Sequence, residues 1–313
     1  MERREFLVGT SAFLAAMALK NKAFAVDESY PIIDIHQHTD YMGRTNDQLV
    51  NHQLKMGVSK TILLPSGSPV NYGSTHYGYS NGLQAKATGN EVCYALAQKY
   101  PDRFLFGANE VPDVPNAANE IEKYLKLGAC VIGESKFNLE CDSPEMQRTY
   151  QIAQEYNVPI LMHWQYNMYN RGFERFHKML SKYHKVTFIG HSQTWWGNVD
   201  KNLTNQNILY PQGKVTDGGL TTKYLNDYHN IFADISAGSG LKFLLRDEDY
   251  AKGFLNRFQD KILFGSDCYD PDATGPTCHG SNLIAAIRRL APSVDISRKI
   301  LYGNASKLFK ITV

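Results

Sequence analysis

The sequence predicts an α/β protein built as a (β/α)8 TIM barrel. Eight short apolar runs alternate with helix-like segments in a chain of 313 residues. Several runs are almost continuously hydrophobic, as strands buried on both faces are. An open doubly wound sheet is the alternative, but no glycine-rich phosphate loop follows the first run. The predicted strands cover residues 31–36, 60–65, 103–108, 129–134, 158–163, 186–191, 230–236 and 261–267.

Helix signals lie between these strands. The segment SPEMQRTYQIAQEYN (143–157) opens with Ser143 as a cap and Pro144 in the first turn. The segment NAANEIEKYLKLG (116–128) ends in a glycine, which is a common helix stop. These signals predict helices that connect parallel strands.

Two connections are too long to be simple turns. They cover residues 66–82, which are rich in Gly, Tyr and Asn, and residues 192–219. Both follow predicted strands, so we expect them on the carboxyl-terminal face of the barrel, where long loops shape a substrate pocket. His76 and Trp195 in these loops are therefore predicted to contact substrate. His52, in a helical segment, is interpreted as a surface residue.

The amino-terminal segment has the features of an export signal. The paired arginines of RREFL precede a mildly apolar run, and AFA supplies the small residues of a cleavage site. The pattern resembles the twin-arginine signal, with a helical or disordered arm as the alternative. We predict that residues 1–25 direct export to the periplasm and that residues 26–313 form a single barrel domain.

The charge balance excludes one class of partner. Of 33 basic and 31 acidic residues, four basic and two acidic ones fall in residues 1–25, which leaves 29 of each in the rest. A protein that binds nucleic acid through its phosphates needs a basic excess. No apolar run is long enough to span a bilayer as a helix of the mature chain. We therefore expect a small-molecule substrate, no nucleic acid and no membrane; the oligomeric state stays open.

The cysteines are few and odd in number. Cys93, Cys130, Cys141, Cys268 and Cys278 include no CxxC spacing. This pattern disfavours a disulfide scaffold or a cysteine zinc site. One bridge stays possible in an oxidising periplasm.

Potential metal ligands follow five of the eight predicted strands. The first strand ends in His36 and His38, and strand residues two apart point to the same side. One such residue alone is weak support for a metal site, but charged groups gathered at one barrel end need a partner, which a divalent cation supplies. Imidazole and carboxylate ligands suit zinc best, ahead of manganese, iron or nickel. The predicted ligands are His36, His38, Glu134, His163, His191 and Asp267.

The order of these ligands resembles that of the amidohydrolase superfamily. HxH follows the first strand, a glutamate or lysine the fourth, histidines the fifth and sixth, and an aspartate the eighth. The closer likeness is to the amidohydrolase-related branch, which includes metal-dependent lactonases, hydratases and non-oxidative decarboxylases. The segments IFADISAGSG (231–240), RFQDKILFGSDCY (257–269) and ILYGNASKLFKI (300–311) are similar to that branch. The resemblance covers residues 32–311.

The fourth strand offers two candidates, Glu134 and Lys136, on one face. The resemblance allows either, because some superfamily members use a glutamate and others a carboxylated lysine. Glu134 ends the apolar run at the depth that His163 occupies in its own strand. We therefore favour Glu134 as the ligand and Lys136 as a cation that faces the substrate.

The resemblance implies a metal-dependent hydrolase with one or two divalent ions. Asp267 would be both a ligand and the general base, and in a one-metal version, where His163 joins the first site, His191 would polarise the substrate or donate a proton. A decarboxylase of an aromatic or dienoic acid is the rival enzyme, and a non-catalytic periplasmic binding protein is the rival of another class. The implied ligand sets are His36, His38 and Asp267 for a first ion, and His163, His191 and a bridging Glu134 for a second.

Overall fold

The computed structural model describes residues 30–70, 82–84 and 86–313, so the predicted export signal and His76 lie outside the described residues. The eight predicted strands are confirmed, and most are shorter than their apolar runs. They are β1 (Ile33–Gln37), β2 (Lys60–Leu63), β3 (Phe104–Phe106), β4 (Ile132–Ser135), β5 (Ile160–His163), β6 (Phe188–His191), β7 (Ile231–Ile235) and β8 (Ile262–Phe264).

The strands follow one another in chain order around a parallel barrel. One hydrogen-bonded ladder contains β1, β2 and β3 in that order. A second contains β4, β5, β6, β7 and β8. A parallel bridge between Ala108 and Ile132 connects the two ladders. On the other side, the Asp267 amide donates a hydrogen bond of 2.8 Å to the His36 carbonyl, which connects the end of β8 to β1. The predicted (β/α)8 barrel is thereby confirmed.

Helices connect the successive strands. Within the described residues, none is both long and apolar enough to cross a membrane. Short 3-10 turns lie at Tyr41–Gly43 and Phe173–Arg175, and a π turn lies at Lys299–Gly303. The α-helices are α1 (Asn46–Lys55), α2 (Asn90–Lys99), α3 (Ala117–Lys126), α4 (Pro144–Tyr156), α5 (His177–Lys182), α6 (Gln193–Gly197), α7 (Leu220–Asp227), α8 (Ala237–Arg246), α9 (Glu248–Arg257), α10 (His279–Leu290), α11 (Val294–Arg298) and α12 (Asn304–Phe309).

Local signals explain where several helices begin and end. The Ser143 hydroxyl accepts a hydrogen bond from the Met146 amide, as its prediction as a helix cap requires. The same helix ends at Asn157, which adopts the left-handed conformation common at helix ends. At α1, Thr45 and Gln48 form a reciprocal capping box.

The core lies along the barrel axis, below the polar strand ends. Leu161 and Ile189 are fully buried, two residues before His163 and His191. Because strand residues two apart share a side, these apolar side chains form the layer beneath the histidines. The cluster also includes residues from other strands, among them Ile33, Ile35, Ile62, Val131 and Leu263.

Gly190 in β6 allows a close approach from the next helix. A Cβ at this position would overlap the indole ring of Trp195, which is fully buried in α6. The same indole also packs edge-on against Phe173. The absence of a side chain at Gly190 therefore seats α6 directly against the strand that ends in His191.

Replacing this glycine should destabilise the barrel. We expect Gly190→Ala to lower the free energy of unfolding by about 1–3 kcal/mol, the usual effect of overpacking a buried contact. The matched control is Gly253→Ala in α9, where a Cβ would meet no atom within 4 Å. That control should gain about 0.4–1 kcal/mol, because alanine has less backbone entropy to lose. Urea denaturation measures both changes, and equal midpoints for the two variants would contradict the packing described.

Candidate metal centre

The six predicted ligands come together at the carboxyl ends of the strands. His36 lies in β1 and His38 directly follows it, Glu134 lies in β4, and Asp267 follows β8. β5 and β6 pair in a register that places His163 directly beside His191. All six side chains are buried, and the most accessible, Asp267, exposes only 9% of its surface. The prediction that they share one site is supported by this geometry.

One group of donor atoms contains His36, His38 and Asp267. The two Nε2 atoms are 3.1 Å apart. The Asp267 Oδ1 atom lies 3.8 Å from His36 Nε2 and 3.5 Å from His38 Nε2. Ligands bonded to zinc at about 2.0–2.2 Å in a tetrahedron are roughly 3.3–3.6 Å apart, so the spacing fits a divalent ion.

A second group shares His36 and adds Glu134 and His191. Glu134 Oε2 lies 3.5 Å from His36 Nε2 and 3.4 Å from His38 Nε2, while Glu134 Oε1 lies 3.6 Å from His191 Nε2. His191 Nε2 is also 3.7 Å from Asp267 Oδ2. Glu134 therefore lies between the histidines of β1 and the histidine of β6, as a bridging ligand would.

His163 approaches the cluster differently. Its Nδ1 atom lies 2.5 Å from Glu134 Oε1, and its Nε2 atom lies 2.9 Å from the Ser192 hydroxyl. Burial, together with the charge of Lys136, lowers the pKa of His163 to about 4. The imidazole is therefore neutral near pH 7, the form that binds metals, and its inward atom is Nδ1.

Hydrogen bonds on the outer side fix the direction of the other histidines. The Nδ1 atom of His38 is 2.7 Å from the Leu64 carbonyl, which accepts only, so Nδ1 carries the hydrogen. The Nδ1 atoms of His36 and His191 lie 2.6 Å and 3.2 Å from the Asp234 carboxylate. In neutral rings donating at Nδ1, the inward Nε2 atoms carry lone pairs, which is how protein ligands meet a metal.

Two residues of this outer layer were not predicted from the sequence. Besides contacting both rings, Asp234 accepts a 2.7 Å hydrogen bond from the Ser236 hydroxyl, which is also 2.8 Å from His191 Nδ1. The sequence feature that could have revealed Asp234 is the run IFADIS. In it a carboxylate interrupts a buried strand, and a buried carboxylate needs a partner.

The buried charges shift one another's pKa values. Burial opposes the charged form of His36, but the carboxylates of Asp267 and Asp234 raise its pKa well above the ordinary value. Burial likewise opposes the ionised form of Asp267, but His36 and His38 lower its pKa. Glu134 also has its pKa well below the ordinary range, with its contacts to His163 overcoming burial. Ionised carboxylates beside imidazole lone pairs make this site attract a cation.

An unpaired acceptor supports the fit of a metal. Among the described residues, Asp267 Oδ1 is buried and accepts no hydrogen bond. A buried carboxylate oxygen without a partner is costly. A cation held by His36, His38 and Asp267 would satisfy it, and the donor set of imidazoles and carboxylates suits that role.

Lys136 lies next to the centre, and its predicted contact with substrate stays a prediction. Its Nζ atom is 5.6 Å from the Tyr169 ring centroid, and its charge acts on the pKa of Glu134. Lys86, not predicted from the sequence, contributes a second cation. Burial and the charge of Lys136 lower the pKa of Lys86, while Asp267 and Glu134 oppose that shift. Two lysines therefore lie close enough to the ligands to act on their charges.

Trp195 does not take the position predicted for it. The side chain is fully buried between Gly190 and Phe173, so the expectation that it contacts substrate is corrected. The physical reason is that residues 193–197 form a helix packed on β6 instead of an open loop. His76, the other predicted contact from a loop, lies outside the described residues.

Solved structures of other proteins are similar to this chain at low sequence identity. An uncharacterized TIM-barrel protein from Bordetella bronchiseptica is 15% identical, with a TM-score of 0.61 over 90% of this chain and 99% of that one. A probable 2-pyrone-4,6-dicarboxylic acid hydrolase from Acinetobacter baumannii, with citric acid bound, is 13% identical, with a TM-score of 0.57 over 90% and 100%. A 5-carboxyvanillate decarboxylase from Novosphingobium aromaticivorans, complexed with manganese and a nitrobenzoic acid, is 15% identical, with a TM-score of 0.55 over 87% and 83%.

At these identities the likeness establishes the TIM-barrel fold. No protein-family model and no curated protein matches the chain by sequence. The fold and the geometry together define a TIM barrel with a histidine–carboxylate cluster at the carboxyl ends of its strands. The named neighbours include a hydrolase and a decarboxylase, the two activities that the sequence resemblance implies.

The outer carboxylate provides a test of the ligand geometry. We expect Asp234→Asn to fold and to bind zinc about 10–100-fold more weakly, because the rings of His36 and His191 lose the charge that orients them. Competition with a chromogenic chelator measures the affinity. Asp260→Asn is the matched control, since its carboxylate is exposed and pairs only with Lys299 among the described residues. Equal affinities in the two variants would show that Asp234 does not support the site.

Proposed function

We propose that the protein is a metal-dependent hydrolase that acts on a small lactone, amide or ester. The observation that carries the proposal is the convergence of the Nε2 atoms of His36, His38 and His191 on the carboxylates of Glu134 and Asp267. The cluster lies at the carboxyl end of the barrel strands, and enzymes with this fold have their active sites at that end. Its buried charges would serve no purpose in a protein that only binds a ligand.

Zinc is the metal we propose for this site. Three imidazoles and two carboxylates match its preference for nitrogen and oxygen donors in a compact arrangement. Manganese is the rival, since one neighbour of similar fold was solved with that ion. When bound, the ion would polarise a carbonyl group and favour ionisation of a water molecule.

The protein's own groups would move the proton. Asp267 would face the ion through Oδ1, so its other oxygen, Oδ2, would accept a proton from the attacking water. His191 lies opposite, with its Nε2 atom 3.7 Å from Asp267 Oδ2. Asp234 and Ser236 hold its Nδ1 side, and the carboxylate would stabilise the imidazolium form. In a centre with one ion, where His163 joins His36, His38 and Asp267, His191 would be free of the metal and would donate a proton to the leaving group.

The charge around the site favours an anionic substrate. Lys136 and Lys86 lie near the ligands without belonging to them. A carboxylate on the substrate would therefore meet the lysines.

The same lysines favour a second candidate, a non-oxidative decarboxylase. In that reaction the substrate carboxylate would be the group that leaves, and Asp267 would protonate the carbon it leaves behind. One neighbour of similar fold is a decarboxylase. The reactions differ in water use, because only hydrolysis places an oxygen atom from water in the product.

We also propose that the protein acts outside the cytoplasm. The twin-arginine pattern and small cleavage residues of residues 1–25 support this proposal. Amino-terminal sequencing of protein secreted by a bacterial host should begin near Val26, and a mature chain that retains residues 6–19 would contradict it.

The proton-carrying role separates Asp267 from His163. Asp267→Asn keeps its size but loses the base, so turnover should fall about 100-fold or more while part of the metal is retained. His163→Ala removes a proposed ligand and leaves the base, so excess zinc should restore part of its activity. The measurement is metal content and turnover on matched carboxylate and neutral lactones, esters and aromatic acids, across a zinc titration.

Two outcomes would overturn parts of this assignment. Parent-level turnover by metal-loaded Asp267→Asn would remove Asp267 as the base. In ¹⁸O-labelled water, a product that carries no label and is accompanied by carbon dioxide would replace the hydrolase proposal with the decarboxylase.

A further inference from the structure

A second buried cluster lies beside the metal centre. Cys268 directly follows Asp267, Cys278 caps α10, and His52 lies in α1. All three side chains are fully buried, so the interpretation of His52 as a surface residue was wrong. The two sulfur atoms are 3.6 Å apart, and Cys278 Sγ is 3.4 Å from His52 Nε2.

We propose that Cys268 and Cys278 form an intramolecular disulfide when the protein folds in an oxidising environment. Their sulfur atoms already face each other in the folded chain, and small side-chain rotations would close the bond. The proposal is independent of the reaction catalysed. It uses the one pair of cysteines that the described residues bring together.

The oxidant would be a disulfide compound such as oxidised glutathione. The Cys278 thiolate attacks one sulfur of the oxidant and releases a first glutathione thiol, which leaves a mixed disulfide. The Cys268 thiolate then attacks the sulfur of Cys278 and releases the second glutathione. The protein loses two protons and two electrons, and the oxidant gains them as two thiols.

The surroundings of Cys278 favour its role as the attacking thiol. Its sulfur accepts a hydrogen bond of 3.4 Å from the Ser281 amide, at the first turn of the twelve-residue helix α10, and lies 3.4 Å from the Ser281 hydroxyl. The Cys268 thiol and His52 also face it. These contacts lower the pKa of Cys278, as is typical of thiols at helix starts and beside histidines.

A metal ion is the rival occupant, because the three donor atoms lie within 4.8 Å of one another. Two observations disfavour it. A closed structural zinc site needs four ligands, and this group supplies three among the described residues. The Arg44 guanidinium donates a 2.6 Å hydrogen bond to the Cys268 carbonyl, and a cation so close repels a divalent ion but stabilises a thiolate.

The bond would fasten the segment that carries a metal ligand. Gln37 and Arg44 both donate to the Cys268 carbonyl, which ties the end of β8 to β1. A disulfide to Cys278 would add a covalent tie from this point to α10. Hydrogen bonds from Gln37 and Arg44 and a covalent bond to α10 would then all hold Cys268, the residue that directly follows Asp267.

Peptide mapping tests the proposal directly. Trypsin should release residues 262–288 as one peptide that contains Cys268 and Cys278, since no lysine or arginine separates them. The other cysteines fall in three separate peptides and serve as internal controls. The full chain is refolded from guanidinium chloride in a mixture of reduced and oxidised glutathione, alkylated while denatured, and digested.

We expect the 262–288 peptide to be unalkylated and lighter by two hydrogen atoms, while Cys93, Cys130 and Cys141 are alkylated. The ratio of disulfide to dithiol in the 262–288 peptide should be at least about tenfold higher in refolded chain than in chain kept in denaturant. The reason is that a disulfide that stabilises the folded state also forms more readily in the folded state. The oxidised protein should also melt at a higher temperature than the reduced protein.

Two results would overturn the proposal. One is alkylation of Cys268 and Cys278 to the same extent as the other three cysteines. The other is zinc at this cluster, seen as metal that a His36→Ala, His38→Ala double variant retains and that Cys268→Ser abolishes. Because the mapping is made on the parent chain, it stands even where a cysteine variant fails to fold.

Discussion

Three imidazoles and two ionised carboxylates meet in a buried space at the top of the barrel, and the rest of the structure depends on how their charges are balanced. His38 donates its Nδ1 hydrogen to a backbone carbonyl, so its Nε2 atom turns a lone pair toward the other acceptors when the ring is neutral. Acceptors this close repel one another unless positive charge lies among them. Protons on His36 supply part of that charge when no ion is bound, as its raised pKa indicates. A divalent cation held by His36, His38 and Asp267 would supply that charge.

The scaffold meets this demand by ending parallel strands at one place. The carboxyl ends of β1, β4, β5, β6 and β8 carry the donors, and the apolar layer beneath them fixes their height. Asp234 then aligns His36 and His191 together, although it belongs to a different strand. The lysines at the rim complete the arrangement, with positive charge where an anionic substrate would approach. The inward donors and the carboxylate that orients two of them thus lie in separate layers of one barrel end.

Much of this was predictable because strands and ligands share a simple local pattern. Eight apolar runs predicted the barrel, and the polar residues at the ends of these runs predicted the inward donors. The failures have a common cause, which is contact between distant parts of the chain. Asp234 contacts a histidine 198 residues earlier, so no local pattern revealed its role. His52 looked exposed until helix α1 packed it against Cys278, and Trp195 looked accessible until Gly190 allowed it to pack on β6.

Anomalous X-ray diffraction from crystals grown with zinc, collected on both sides of the zinc absorption edge, tests the central claim most directly. We expect a strong difference peak about 2.0–2.2 Å from the Nε2 atoms of His36 and His38 and from an Asp267 oxygen. A second peak near Glu134, His163 and His191 would make the centre binuclear. Zinc that binds only elsewhere, or a map without a peak at this cluster, would contradict the assignment of a metal centre to the top of the barrel.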